Sequence, residues 1–360
     1  LHDALPIFVF FEVLLIASYG LMIHGGGQML LRAGLQYVVM NLAGSTLFLF
    51  ALGTIYATTG TLNIADLALK FREIPVEDAS LIRVAAILLL TVFAIKAALF
   101  PVQFWLPGSY ANAPAPVAAL FAIMTKVGAY AILRFYTVVF GPSVDATGSM
   151  PGDWLLIAAL VTLAIGALGV LGARRLMPML SFAVLGSMGT LMLAVSAFSP
   201  QSISAALYYL VHSTLAAAAL FLVTDLVISR RGAAGDHLQA APPIARNGLL
   251  AALFFVGAIA VAGMPPLSGF VGKLLVLDAM RTSSMAPVVW ASILIASLLT
   301  IIGLARAGSK LFWSAAEVAP SGNENVDPDL DATTPVMAVA SIMAAFAALA
   351  ALTIFAGPLM

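Results

Sequence analysis

The sequence predicts an all-α polytopic membrane protein with about ten transmembrane helices, built as inverted repeats with two discontinuous helices. Three observations carry this. Hydrophobic residues fill 62% of the 360 positions and charged residues only 9%, against roughly 45–50% and about 25% in soluble chains. The apolar residues form continuous runs without alternation, which excludes a β-barrel. Two of those runs are broken by proline beside a lysine, at corresponding places in two halves of the chain.

The same composition excludes a water-soluble enzyme, a nucleic-acid binder and a disordered chain. Lys+Arg 16 balance Asp+Glu 16, so no long-range field draws nucleic acid. With no cysteine there is no disulfide, thiolate metal site or Fe–S cluster. Four scattered histidines offer little to zinc, and no cofactor or metal is expected.

In chain order the spans are expected near 4–24, 34–59, 83–107, 115–138, 154–173, 178–198, 204–228, 248–279, 288–312 and 335–357. Each is an apolar run of about the length that crosses a bilayer, bounded by charge, proline or glycine. The first carries Glu12. The third contains Lys96 and Pro101, and the fourth carries Lys126 with about ten apolar residues on either side. In the fifth, Gly166, Gly169 and Gly172 read as close helix packing. The seventh carries Tyr208-Tyr209-Leu210-Val211-His212-Ser213-Thr214, and the eighth contains Pro265, Pro266 and Lys273. Proline removes a donor and clashes with the preceding turn, so both broken runs should unwind. The freed backbone must then face protein or a wet cavity. Paired breaks of this kind mark a mid-membrane site. The plainer alternative is a pair of simple proline kinks. The expected organisation is a first repeat half over 1–138, incomplete at its start, a second half over 154–312 and an additional helix over 335–357.

If the spans alternate, Arg32, Arg174, Arg175, Arg230, Arg231, Arg246, Arg306 and Lys310 share one side. Lys70, Arg72, Arg83, Arg134 and Arg281 share the other. The richer side is assigned to the cytoplasm, with the acidic stretch 323–331 as a solvated connection there.

Glu12, Lys96, Lys126 and Lys273 are the charges inside apolar runs. A lysine at a helix centre costs about 2.5–3.5 kcal/mol on insertion scales, so three approach about 9 kcal/mol, comparable with the whole stability of a domain. Snorkelling to the headgroups explains residues near span ends, such as Arg134 or Lys310, but suits Lys126 poorly. An ammonium taken out of water gives up its proton more readily than in bulk, a nearby carboxylate opposes that, and arginine effectively never deprotonates. Lysine is therefore the residue for moving protons through a dry interior. Glu12 is the natural partner of Lys96, and opening that pair would push a proton towards Lys126. His212 is either a hydrogen-bonded packing residue or a relay between waters. Ser181, Ser187, Ser213 and Thr214 either line the same path or bond between helices. Asp225 and Asp278 read as interfacial.

Ala94-Ile95-Lys96-Ala97-Ala98-Leu99-Phe100-Pro101, Phe104-Trp105-Leu106-Pro107, Ala113-Pro114-Ala115-Pro116-Val117 and Thr125-Lys126-Val127-Gly128 resemble the proton-translocating antiporter-like family. Its members include the large membrane subunits of respiratory complex I and of the Mrp (Pha) cation/proton antiporters. The resemblance covers nearly the whole chain. It implies that Phe10-Phe11-Glu12 belongs to the glutamate helix, that Lys96 is the first broken-helix lysine and that Lys126 is the central relay lysine. It places His212 at the polar position of the second half, and Pro265-Pro266-Leu267-Ser268-Gly269-Phe270 with Lys273 at the second broken helix and terminal lysine. Full-length members are expected to have about fourteen helices, so about four would precede this piece. The stretch 1–7 departs from the acidic, Phe-rich lead-in expected before the glutamate helix.

Complex I relatives carry Asp-Ala-His after Trp-Leu-Pro, where this sequence has Gly108-Ser109-Tyr110. Lysine at both 126 and 273 resembles the D-type branch of the antiporter subunits. The implied function is proton conduction along a buried Glu/Lys/His chain in a Na+ (or K+)/H+ antiporter of the bacterial cytoplasmic membrane, assembled with other membrane subunits. The alternatives are a non-redox proton-pumping subunit of an NADH-quinone oxidoreductase, and a passive scaffold whose buried lysines are structural. The chain itself is not expected to be an enzyme.

Overall fold

A computed structural model describes residues 4–24, 26–75, 77, 79–141, 144, 150–314 and 336–359. Among these residues the chain is helical throughout, apart from turns and one isolated bridge between Arg175 and His237. The acidic stretch 323–331 and His2 lie outside the described residues.

The helices are α1 (Ala4–Ile23), α2 (Gln28–Thr59), α3 (Ile64–Glu73), α4 (Ser80–Lys96), α5 (Trp105–Asn112), α6 (Ala115–Val138) and α7 (Met150–Gly172). They continue with α8 (Leu176–Ser196), α9 (Pro200–Ile228), α10 (Asn247–Ala262), α11 (Ser268–Ala279), α12 (Ala286–Gly308) and α13 (Val336–Ile354). Among the described residues seven are long and apolar enough to cross a membrane: α2, α6, α7, α8, α9, α12 and α13. The two expected runs with prolines are each divided, into α4 and α5 and into α10 and α11. The halves are accordingly too short to be spans by themselves.

Helix α3 was not among the expected spans. It is short and amphipathic, burying Ile64, Leu67 and Phe71 on one face, and the Asn63 side chain accepts from the N–H groups of Ala65 and Asp66. Hydropathy windows tuned to spans pass over such a helix. Helix α9 starts at a capping box in which Ser199 and Ser202 bond each other's backbone, with Pro200 in the first turn. Helices α7 and α8 pack backbone to backbone. A Cβ on Gly166 would lie 2.5 Å from Gly186 Cα, and one on Gly189 2.5 Å from Leu163 N. Gly172, the last residue of α7, has nothing within 4 Å of such a Cβ and so is not a packing position.

The buried apolar side chains form two large bodies, and nearly every long helix passes from one to the other. Helix α2 gives Leu30, Ala33 and Tyr37 to one body and Phe48, Ala51, Leu52 and Ile55 to the other, with Asn41 and Ser45 between. Helix α6 changes over between Met124 and Ala129, around Thr125 and Lys126. Helix α8 does so between Leu185 and Met188, at Ser187. Helix α9 changes between Tyr209 and Ala217, at His212 and Ser213, and α12 between Ala296 and Leu304, around Ser297 and Thr300. A polar layer therefore divides the core at about half the height of the bundle.

Candidate functional site

The first group of the layer forms where α4 stops. Lys96 is the last residue of α4, and Ala98 takes a left-handed φ of 52°. Two backbone groups at the break are bonded by side chains. Trp105 Nε1 donates to Ile95 O at 2.8 Å, and the Phe100 N–H donates to Thr162 Oγ1 on α7 at 2.9 Å. This is the condition for broken helix at membrane depth. The Lys96 ammonium reaches back to α2, with Asn41 Oδ1 at 3.3 Å, Asn41 O at 3.5 Å and Ser45 Oγ at 3.5 Å. Glu12 Oε1 on α1 is 3.9 Å away, and Ser45 donates to the same Glu12 oxygen. Asn41 and Ser45 lie one turn apart, so both point to one spot. Two glycines make the room. A Cβ on Gly44 would sit 3.4 Å from Lys96 Cε, and one on Gly128 of α6 only 2.7 Å from Ala97 N. Lys126 and Gly128 thus act together: the glycine lets α6 approach the break while the lysine enters the layer.

Lys126 is 1% exposed and donates to Ser187 Oγ on α8 at 3.0 Å. Ser187 in turn donates to Val184 O at 2.7 Å. Two small cavities of about 20 Å³ each share Ser187 and Tyr209 in their walls. Each has room for one or two waters. The first also touches His212 and Ser213; the second also touches Thr190, Lys273, Ser297 and Thr300. His212 is 2% exposed, shares a hydrogen bond of 2.9 Å between Nδ1 and Ser268 Oγ, and lies within electrostatic reach of both Lys126 and Lys273.

The second break is arranged differently. Helix α10 ends at Ala262, and Gly263 turns with φ 74°. Pro265 and Pro266 fill the link, and α11 begins at Ser268. Lys273, from α11, donates to the open Ala262 carbonyl at 2.7 Å and to Ser297 Oγ on α12 at 2.7 Å. A cation at the C-terminus of a helix is favourably placed. A Cβ on Gly263 would fall 2.7 Å from Lys273 Cδ, so a larger residue there would displace the lysine side chain, and the positive φ itself favours glycine. Pro101 lies in the corresponding link between α4 and α5.

The structure therefore joins Glu12 to Lys96 directly, and Lys126 to His212 and Lys273 through Ser187 and the two cavities. Neither cavity reaches Lys96; the two groups meet where Gly128 packs on Ala97. Ser181 and Thr214 bond back to carbonyls of their own helices, at Met177 and Leu210, and line neither cavity. Asn41, Ser45 and Ser297 were not anticipated. Asn41 had a signal, an amide inside an apolar run. The serines had none, because each also bonds a carbonyl one turn back in its own helix.

Known proteins share this arrangement of helices. The family described as "NADH:quinone oxidoreductase/Mrp antiporter, TM" matches residues 2–300. The chain is 39% identical over 322 residues to the D subunit of the Na(+)/H(+) antiporter of Bacillus subtilis (strain 168), covering 89% of this chain and 64% of that protein. It is 36% identical over 343 residues to the probable K(+)/H(+) antiporter D subunit of Rhizobium meliloti (strain 1021), covering 88% and 64%. Its fold matches a chain in the structure of the Mrp complex from Dietzia sp. DQ12-45-1b with a TM-score of 0.83 at 28% identity, over 99% of this chain and 72% of the other. The chain thus spans a little under two thirds of the length of these curated relatives.

Proposed function

The chain belongs to the NADH:quinone oxidoreductase/Mrp antiporter membrane family, and from that premise we propose that it is the proton-conducting part of a D-type subunit in a multisubunit Na+ (or K+)/H+ antiporter. It crosses the bacterial cytoplasmic membrane about ten times, with α4/α5 and α10/α11 as discontinuous spans in two inverted halves, 1–138 and 154–312. The additional helix α13 follows, and other membrane subunits surround it. The Bacillus and Rhizobium relatives are both named as antiporter D subunits, which supports a transporter component rather than an enzyme.

The observation that carries this reading is the polar layer itself: Glu12, Lys96, Lys126, His212 and Lys273 all lie between the two apolar bodies. The chemistry follows from the contacts. Glu12 sets a carboxylate beside the Lys96 side chain. When Glu12 withdraws, the charge loses that carboxylate while the neutral Asn41 and Ser45 still face it. Removing one partner of a buried pair costs about 3–5 kcal/mol, enough to shift proton occupancy more than about 100-fold. The displaced proton moves towards Lys126. From there Ser187 and the two water-sized cavities lead to His212 and Lys273. Serine suits this position because its hydroxyl accepts from one neighbour while donating to another. At the far end the Ala262 carbonyl and Ser297 stabilise the loaded Lys273.

The test is to replace Glu12 or Lys96 with alanine in the intact complex and follow dissipation of a pH gradient in everted vesicles on adding Na+ or K+. Loss of exchange in an assembled complex is expected. Wild-type exchange in such a variant would remove this path.

A further inference from the structure

Several cations that the sequence places on the cytoplasmic side meet in one cavity. It has a volume of about 510 Å³ and lies at the ends of α7 and α12, against the link that follows α9. Arg174, Arg306, Lys310 and His237 line it together with Gln239, and no carboxylate does among the described residues.

The walls are built, not incidental. Arg306 donates to the carbonyls of Leu171 and Ala173, at 2.6 and 3.0 Å. It thereby covers the negative end of α7 that would otherwise repel an anion. The link is pinned by Arg231, which is buried and donates to the carbonyls of Gly235, His237 and Gln239. Burial pushes the Arg231 guanidinium below its ordinary range, and neighbouring Asp236 opposes that shift. Asp236, the acid that could neutralise the cavity, is turned away: it holds Arg175 Nε at 2.9 Å and the Met177 N–H at the start of α8 at 3.3 Å. The backbone closes the same wall, with Leu238 N donating to Arg174 O at 2.9 Å.

We infer that this cavity binds the phosphate of an anionic phospholipid headgroup. Guanidinium groups match phosphate oxygens with paired N–H donors. The ends of membrane-length helices place the cavity at the depth of the headgroups. Basic pockets at helix ends on the cytoplasmic face have the chemistry such lipids require. A free phosphate would offer the same oxygens from the water side, so the experiment separates the two sources.

The test uses the intact complex in a zwitterionic detergent, titrated with phosphatidylglycerol and followed by native mass spectrometry. Saturable binding of phosphatidylglycerol is expected, with none of phosphatidylcholine and no displacement by millimolar inorganic phosphate. The exposed residues Arg174 and Lys310 are the ones to change, since Arg306 also caps α7. Arg174→Gln and Lys310→Gln should each weaken binding about fivefold, and the double variant about 25-fold, at about one surface-charge increment per cation. Arg174→Lys should weaken it less than Arg174→Gln. Unaltered binding by the assembled double variant would overturn the assignment. So would displacement by inorganic phosphate, which would make this a soluble-anion site.

Discussion

Lys126 donates to Ser187 at 3.0 Å, and Ser187 lines both small cavities of the layer. One hydroxyl thus connects the lysine of α6 with the space beside His212 and the space beside Lys273. Ser187→Ala removes the acceptor of a charged donor, a loss of about 1.5–3 kcal/mol. Cation-driven dissipation of a pH gradient should fall about tenfold or more, while Ser187→Thr, which keeps the hydroxyl, retains most of it. Equal rates for the alanine and threonine variants would show that the hydroxyl plays no part.

Two variants at Lys273 should separate stability from transport. It closes the open end of α10 through the Ala262 carbonyl. Lys273→Met should lower the thermal stability of the purified complex by about 1–3 kcal/mol, the cost of a buried group left unpaired. Lys273→Arg keeps a donor but does not release its proton. It should be the more stable of the two and equally unable to exchange. An arginine variant that transports like the parent would exclude proton release at this residue.

Two glycines facing Lys96 should respond unequally. A Cβ at Gly128 meets the backbone of Ala97 at 2.7 Å, whereas one at Gly44 meets a flexible side chain at 3.4 Å. Gly128→Ala should destabilise the complex by about 1–3 kcal/mol, as overpacking does, and Gly44→Ala by clearly less. Thermal unfolding of the two variants side by side checks the order.

The link after α9 rests on Asp236, which is buried, while its partner Arg175 is 42% exposed at the side chain. Asp236→Ala removes both an ion pair and the acceptor at the start of α8, and should cost about 1–2 kcal/mol. Arg175→Ala, at an exposed partner, should cost under about 1 kcal/mol. Limited proteolysis within 230–240 should speed up for the first variant and hardly at all for the second.

The amino-acid sequence made the costly features legible. Charges at Glu12, Lys96, Lys126 and Lys273 stand out in apolar runs because each opposes insertion, and Pro101, Pro265 and Pro266 stand out because proline cannot continue a helix. The cooperating groups were far less visible. Ser45 and Ser297 satisfy themselves on their own helices, so they cost almost nothing and leave no trace in hydropathy. The division of the core into two bodies was hidden for another reason. It depends on the heights at which separate helices stack, which no single run encodes. Helix α3 escaped because its apolar face, Ile64, Leu67 and Phe71, is too short to register as a span.

The most direct measurement is cation-driven proton exchange by a Lys126→Arg variant in the assembled complex. Arginine preserves the positive charge beside Ser187 but holds its proton permanently. Exchange should fall by at least about 100-fold, with assembly intact and lysine restoring it. Exchange at the parent rate in the arginine variant would mean that no proton passes through residue 126.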